Sequence, residues 1–209
     1  ADITFRAVET LKSVELIACE DTRRTKILLS HYEIQKPLLC FNAYNQYKRV
    51  KKILEYLHSG KSVAYVSDSG TPGISDPGEL LVKIAVENNF TVECIPGPTA
   101  FVTALACSGL PANKFLFLGF LPKKRSKLKK TLSEAKKFNK TIIFYESPYR
   151  IKNTLETCKE IFTEEAKCVI AREITKKFEE YIRGTLKIVI ENISKREEIK
   201  GELVVIIHP

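Results

Sequence analysis

The β-branched run Val63 to Val66 gives way to a loop in which Gly70, Gly73 and Gly78 alternate with Pro72 and Pro77, and this loop runs into a helical pattern. Strand, stiff loop and helix in that order confine the segment to folds that build a ligand edge from strand ends. The glycines permit positive φ and close backbone approach, while the prolines fix φ and delete amide donors. A phosphate cradle wants consecutive amides and a lysine. This loop has neither Lys nor Arg and carries Asp68 and Asp76 instead, whose charge repels an anion but suits a cation or a ribose diol. S-adenosylmethionine, a sulfonium with a ribose, fits that chemistry better than a nucleoside triphosphate. The competing reading is an ordinary strand-to-helix turn with Pro77 near the first helical position.

Strand and helix patterns alternate along the chain. Strands are predicted over 14–19, 37–41, 63–67 and 91–95, and helices over 22–30, 45–57, 79–87 and 99–107. In the second of these helices Val50, Ile53, Leu54 and Leu57 fall on one face. This βαβα order predicts a mostly parallel sheet with crossover helices. Breakers cluster at 108–113 and place a hinge there, so domains over 1–110 and 114–209 are expected. The second half predicts strands at 115–118, 141–145, 167–172, 179–183 and 203–207, with helices at 126–138, 151–161 and 186–193. The short spacing between 167 and 183 suits an antiparallel hairpin, so the second sheet should be mixed. The fold class is therefore α/β, with two α/β domains.

A second stiff loop, Pro96-Gly97-Pro98-Thr99-Ala100, follows the strand predicted over 91–95. Parallel strands would bring both loops to one carboxyl edge, where open α/β sheets bind ligands.

The net charge of +9 is concentrated in one segment. Residues 123–140 hold Lys123, Lys124, Arg125, Lys127, Lys129, Lys130, Lys136, Lys137 and Lys140 against Glu134 alone, a local net charge of +8. Such a block points to a polyanion partner, with a solvated lysine-rich helix as the alternative. Tyr44, Tyr47, Lys48, Arg49, Lys51 and Lys52 interleave aromatics with cations, which suits stacking and phosphate contact or, equally, an outer helix face. The six cysteines include no C-x-x-C pair and the three histidines are scattered, so neither a metal site nor a disulfide framework is expected. No apolar run approaches the ~18 residues of a membrane span, and a cytoplasmic location without membrane partners is expected.

The motifs Cys19-Glu20-Asp21-Thr22-Arg23, Ser67-Asp68-Ser69-Gly70-Thr71-Pro72 with Asp76-Pro77-Gly78, Pro96-Gly97-Pro98, Gly109-Leu110-Pro111, Gly119-Phe120-Leu121-Pro122, Phe144-Tyr145-Glu146-Ser147-Pro148 with Arg150, and Ala171-Arg172-Glu173 occur in an order and spacing that closely resemble the bacterial small-subunit ribosomal RNA methyltransferases of the tetrapyrrole methylase superfamily. The resemblance runs from Ala1 to about Ile207. It implies two α/β domains with a cofactor cleft between them, S-adenosylmethionine as cofactor, and methylation of a cytidine ribose 2′-hydroxyl in the decoding region of 16S ribosomal RNA, free or in the assembled subunit. It also implies a homodimer. Carried over by motif, the cofactor residues are Asp68, Ser69, Gly70, Thr71, Pro72, Gly97, Pro98, Thr99 and Ala100, with Tyr145 and Glu146 from the second domain. The RNA-binding residues are expected in the basic block, at Lys123, Lys124, Arg125, Lys127, Lys129 and Lys130. Two departures stand out: the family's opening strand with its Thr-Pro-Ile-Gly-Asn-Leu loop has no counterpart before Ala1, and a helical tail after Pro209 is missing. A tetrapyrrole methyltransferase and a non-catalytic RNA-binding fragment are the alternatives.

Methyl transfer to a hydroxyl needs aligned reactants, a group to take the proton and a cation near the developing oxyanion. Glu20, Asp21 and Arg23, at the end of the first strand, are the candidates for substrate positioning and proton handling. A capping role for Asp21 or Thr22 is the simpler alternative. Glu146 and Arg150, four apart, could equally be an ordinary helix pair.

Overall fold

The computed structural model describes residues 2–209. The chain divides into two compact units, Ala1–Thr99 and Ala100–Pro209.

In the first unit, α1 (Phe5–Ser13), β1 (Leu16–Cys19), α2 (Thr22–His31), β2 (Leu38–Cys40), α3 (Gln46–His58), β3 (Val63–Val66) and α4 (Gly78–Glu87) follow in order. Thr4 starts α1 by accepting the Ala7 amide on Oγ1 at 3.1 Å. The three strands form a parallel sheet in the order β2-β1-β3, with Ile17 opposite both Leu38 and Ala64. Central β1 is buried along its whole length, and its pleat sends alternate side chains to two cores. Leu16 and Ala18 join Leu39, Phe41, Val50, Ile53 and Leu81 under α3 and α4. Ile17 points the other way, to Leu11, Val14, Leu29 and Ile34 under α1 and α2.

The strand predicted over 91–95 is absent. Thr91, Val92, Glu93 and Cys94 are exposed and outside either sheet, with Val92 45% exposed. β-propensity alone does not make a strand: without a neighbour to accept its backbone, the alternating pattern buries nothing.

The second unit contains α5 (Ala100–Ala106), β4 (Phe115–Phe120), α6 (Arg125–Lys136), β5 (Thr141–Glu146), α7 (Ile151–Phe162), β6 (Lys167–Arg172), β7 (Glu180–Thr185), α8 (Leu186–Ser194) and β8 (Leu203–His208). Its five-stranded sheet has the order β4-β5-β8-β6-β7 and is mixed: β4 runs parallel to β5, the other pairs are antiparallel, and β6 and β7 form the expected hairpin. Alternation again splits the sheet between two cores. Ile142, Phe144, Cys168, Ile170, Val205 and Ile207 face α6, α7 and α8. Ile143, Val169, Ala171, Val204 and Ile206 face Ala104 and Leu105 of α5.

That last contact explains why the division between units precedes α5. The segment expected as a hinge is tied down inside the second unit: buried Ser108 donates to the Leu105 carbonyl and accepts the Leu110 amide, and Thr141 donates to the Pro111 carbonyl at 2.6 Å.

Candidate active site

Because β1, β2 and β3 are parallel, the residues that follow each strand collect on one rim of the first unit. Glu20 and Asp21 leave β1, and the loop beginning at Ser67 leaves β3. The neighbouring strand ends are cross-linked. The Asp68 amide donates to Glu20 Oε1 at 3.0 Å, and the Asp21 amide donates to Asp68 Oδ1 at 3.2 Å. Asp21 caps α2, its Oδ1 accepting the Arg23 amide at 2.8 Å, and the same carboxylate holds the Arg23 guanidinium through Nε (3.1 Å) and Nη2 (2.7 Å). Arg24 stands 3.8 Å from Asp68 Oδ2. The capping reading of Asp21 is the one the structure forms, with Arg23 paired to the cap.

These groups titrate in opposite directions. Arg23 holds Asp21 down at a pKa of about 2. Glu20 is raised above the ordinary carboxylate value: burial is the main cause, the Asp68 amide opposes it, and the charges of Asp68 and Asp76 add to it. Glu20 Oε2 has no partner among the described residues.

The β3 loop is held open by its own side chains. Ser67 Oγ donates to the Gly70 carbonyl at 2.8 Å, and Asp76 accepts the Gly73 amide on one oxygen and the Gly78 amide on the other. The second stiff loop reaches it directly, with the Pro98 carbonyl accepting both the Thr71 amide (2.9 Å) and the Thr71 hydroxyl (3.1 Å). Thr99 Oγ1 lies 3.3 Å from Thr71 Oγ1. Gly70 makes this approach possible: its φ is +75°, and a Cβ there would sit 3.1 Å from the Pro98 oxygen. The two loops therefore meet as the sequence suggested, through hydrogen bonds rather than through a fourth strand.

Under the loop, Tyr65 packs edge-on against Phe41, and its buried hydroxyl has no hydrogen-bond partner among the described residues. Burial, aided by Asp76 and Glu20, raises its pKa strongly. Neither Arg24 nor Tyr65 carries a motif signal. Only the register that sets β1 beside β3 reveals them, although Arg24 sits one helical turn beyond Asp21. A recess of about 400 Å³ between α2 and β2 contains Lys26 and Lys36 in its wall, which would repel a sulfonium. The rim ringed by Glu20, Asp21, Asp68 and Asp76 has the charge that such a cation needs.

In the second unit, Ala100 opens α5 and Tyr145 and Glu146 end β5. Tyr145 is half-buried, its ring centroid 5.1 Å from that of Phe117 and 5.3 Å from that of Phe120. The Glu146 side chain is fully buried. It accepts the Ser147 amide at 2.7 Å and the Thr154 hydroxyl at 2.6 Å, and Arg150 lies 3.4 Å away. Arg150 also donates to the Leu121 and Pro122 carbonyls, so the pair fastens the turn after β4 to the end of β5. Both carboxylate oxygens are thereby committed within the unit, and the ordinary i, i+4 pairing is the one the structure forms.

The basic block lies on and around α6, which buries Leu128, Leu132 and Ala135. Arg125 and Lys129 both pair with Glu160 of α7, and Lys130 stands 4.0 Å from Glu134. Lys123, Lys124 and Lys127 are exposed and have no ion pair among the described residues. No helix among the described residues is long and apolar enough to cross a membrane.

The sequence model of the tetrapyrrole (corrin/porphyrin) methylases matches residues 1–189. Over 209 residues the chain is 47% identical to the ribosomal RNA small subunit methyltransferase I of Hydrogenobaculum sp. (strain Y04AAS1), covering 99% of this chain and 89% of that protein. The proteins of the same name from Thermotoga maritima and Bacillus subtilis (strain 168) are 46% and 45% identical, with 99% of this chain and 91% and 70% of theirs covered. Among solved structures, a cobalt precorrin-4 methyltransferase of cobalamin biosynthesis superposes with a TM-score of 0.72 at 16% identity over 98% of this chain and 88% of that one. The methyltransferase CobJ does so with a TM-score of 0.73 at 19% identity over 99% and 87%. Sequence and fold agree, and the chain belongs to the tetrapyrrole (corrin/porphyrin) methylase family, alongside the ribosomal RNA small subunit methyltransferase I proteins.

Proposed function

We propose that the protein transfers a methyl group from S-adenosylmethionine to the ribose 2′-hydroxyl of a cytidine in the decoding region of 16S ribosomal RNA. It acts in the cytoplasm, as a homodimer, on the RNA or the assembled small subunit. The observation that carries this reading is the similarity, over nearly the whole of this chain, to relatives named ribosomal RNA small subunit methyltransferase I. The acid-ringed rim and the exposed lysines ahead of and on α6 support it on chemical grounds.

The residues suit the cofactor. Asp68, Ser69, Gly70, Thr71, Pro72, Gly97, Pro98 and Thr99 form two joined loops in which carbonyls and carboxylates outnumber cations, as a sulfonium and a ribose diol require. The cofactor supplies an electrophilic methyl group. Glu20 Oε2 takes the proton of the ribose hydroxyl, and its raised pKa makes it a better base than an ordinary carboxylate. Arg24, whose charge acts on Glu20, balances the charge that the oxygen develops, and Arg23 at the start of the same helix positions the substrate. Asp21 holds Arg23 and fixes the start of α2. The ring of Tyr145 is a stacking surface for an adenine, and Glu146 serves by locking the turn that carries it. Lys123, Lys124 and Lys127 contact phosphate, while Arg125, Lys129 and Lys130 combine that role with pairing on the helix surface.

Incubation with labelled S-adenosylmethionine and unmodified small subunits, followed by mapping of the label, tests this. Label on a cytidine 2′ position of the decoding region is expected. Label on a base, or transfer to a porphyrin in preference to RNA, would overturn the assignment.

A further inference from the structure

The turn that follows β2, residues 41–45, opens on the same rim as Glu20 and Asp68 because β2 and β1 are parallel neighbours. It displays Tyr44, which is completely solvent-exposed at 101%, and one turn further Tyr47 at 73%. An exposed aromatic ring offers a flat face on which a nucleic-acid base can stack. The backbone beneath this one is also held firmly. Asn42 Oδ1 accepts the Tyr44 amide at 3.1 Å and the Asn45 amide at 3.3 Å, and Asn45 Oδ1 returns the contact to the Asn42 amide at 2.9 Å. Both side-chain amides donate to Cys40 Sγ, and the Cys40 thiol donates to the Glu20 carbonyl at 3.4 Å. A chain of hydrogen bonds thus joins the turn that carries Tyr44 to the residue assigned as base.

Helix α3 continues from this turn. It buries Val50 and Ile53 and turns Tyr47, Lys48, Lys51 and Lys52 outward at helical spacing. Lys48, Arg49, Lys51 and Lys52 have no ion pair among the described residues, and Glu55 is the only acid of the helix. Aromatic rings beside a row of uncompensated cations form the surface that takes single-stranded nucleic acid, with bases on the rings and the backbone along the charges.

We infer that Tyr44 and the outward face of α3 bind a single-stranded stretch of the RNA substrate, one base stacking on Tyr44 and the adjoining phosphates following Lys48, Lys51 and Lys52. This rests on RNA being the substrate, as proposed above. It serves a different purpose from the basic block of α6: it holds the strand beside the rim on which Glu20 lies, whereas the α6 lysines attract polyanion without regard to strandedness.

Binding and catalysis test it separately. Fluorescence anisotropy with a mixed-sequence single-stranded RNA, with the same strand in duplex, and with each of wild type, Tyr44→Ala and Tyr44→Phe reads binding alone. Tyr44→Ala should weaken single-strand affinity about 5- to 150-fold, the range of one lost base stack, and leave duplex affinity unchanged. Tyr44→Phe should retain most of the affinity. The triple variant Lys48→Ala, Lys51→Ala and Lys52→Ala should make affinity less salt-dependent, by about 0.7 in the log–log slope per lost phosphate contact. Equal single-strand affinity in wild type and Tyr44→Ala overturns the inference, even where wild type methylates subunits. So does a Tyr44→Ala defect in methyl transfer without a defect in RNA affinity, which would move Tyr44 to a protein-facing role on the subunit. Wild type that binds single strands through Tyr44 but transfers no methyl group to RNA would support the inference and sink the proposed function.

Discussion

Two charged clusters, one in each unit, are built from the same residue types and titrate in opposite ways. In the second unit Glu180 lies between Arg172 and Arg196, with Arg172 Nε at 3.1 Å and contacts from both Arg196 nitrogens, and its pKa falls to about 2. In the first unit Glu20 lies among Asp21, Asp68 and Asp76, and its pKa is raised. Tyr65 beneath that rim has a buried hydroxyl with no hydrogen-bond partner among the described residues. The first cluster is satisfied and therefore structural. The second keeps like charges and an unpaired hydroxyl together at a cost in stability, a pattern that marks ligand sites.

The largest effect expected from this contrast is on catalysis. Glu20→Gln keeps an acceptor for the Asp68 amide but removes the base, so kcat for RNA methylation should fall about 100- to 10,000-fold. In wild type, the acid limb of kcat/KM against pH should lie above the ordinary carboxylate range, because Glu20 must lose its proton to act. Folding should respond in the other direction. A carboxyl raised by its surroundings costs stability once ionised, so at neutral pH Glu20→Gln should unfold no earlier than wild type by thermal denaturation. A variant that unfolds early would show that the rim is as satisfied as Glu180.

Glu180→Gln should show the opposite pattern. The loss of a carboxylate held by two guanidinium groups should lower stability by about 1 to 2 kcal/mol, measured by urea unfolding at pH 7. Methyl transfer per folded molecule should be unchanged. The native pKa lies below the unfolded one, so the stabilisation is complete above about pH 4.5 and fades as pH falls toward about 2. Wild type and variant should converge there, and a constant gap at all pH values would argue against the pairing.

Much of this architecture is legible in the sequence because it follows from period and order. The alternation of β1 with α2 and β2 with α3 and the buried stripe of α6 come from apolar spacing, and the mixed second sheet from the short connection between β6 and β7. What spacing cannot supply is pairing. Residues 91–95 alternate well but find no neighbour, so they remain unpaired chain. The breakers at 108–113 look like a linker, yet the Ser108 hydroxyl and the Pro111 carbonyl are tied into the second unit. The meeting of the two stiff loops was anticipated, but the contacts that order the rim span far in sequence, from Asp21 to Asp68 and from Thr71 to Pro98. Glu146 was expected to face a ligand because its motif suggested so. Only the fold shows Thr154, Ser147 and Arg150 taking up its oxygens.

The contrast between paired and unpaired charge extends to α6. Arg125 and Lys129 are shared with Glu160, whose pKa they lower, whereas Lys123, Lys124 and Lys127 have no ion pair among the described residues. The triple variant Lys123→Ala, Lys124→Ala and Lys127→Ala should reduce the slope of log affinity against log salt for ribosomal RNA by about 2, if each lysine meets one phosphate. Replacement of Arg125 and Lys129 should change that slope less, because RNA must first compete with Glu160. Equal reductions per replaced residue in the two variants would show that the Glu160 pairs dissolve when RNA arrives.

The smallest effect is expected at Asp21, where the two clusters can be compared residue for residue. Its carboxylate is held by the guanidinium of Arg23 alone and its pKa is likewise about 2, but Arg23 is almost fully exposed, unlike Arg172 and Arg196 around Glu180. Screening by water and salt therefore leaves little of that attraction as folding stability. Asp21→Asn retains the oxygen that caps α2 and should shift the melting temperature less than Glu180→Gln does. The stabilising part that remains is present above the unfolded carboxyl pKa and is lost as pH falls toward about 2, so the small difference from wild type should vanish in acid. Added salt should erase it at neutral pH while leaving most of the Glu180 effect in place. A shift at Asp21 as large and as salt-resistant as the one at Glu180 would mean that the rim stores its charge in a drier setting than its exposure indicates. In that event the contributions of Asp68 and Asp76 to the raised pKa of Glu20, which add to the larger effect of burial, would have to be larger than their exposure suggests.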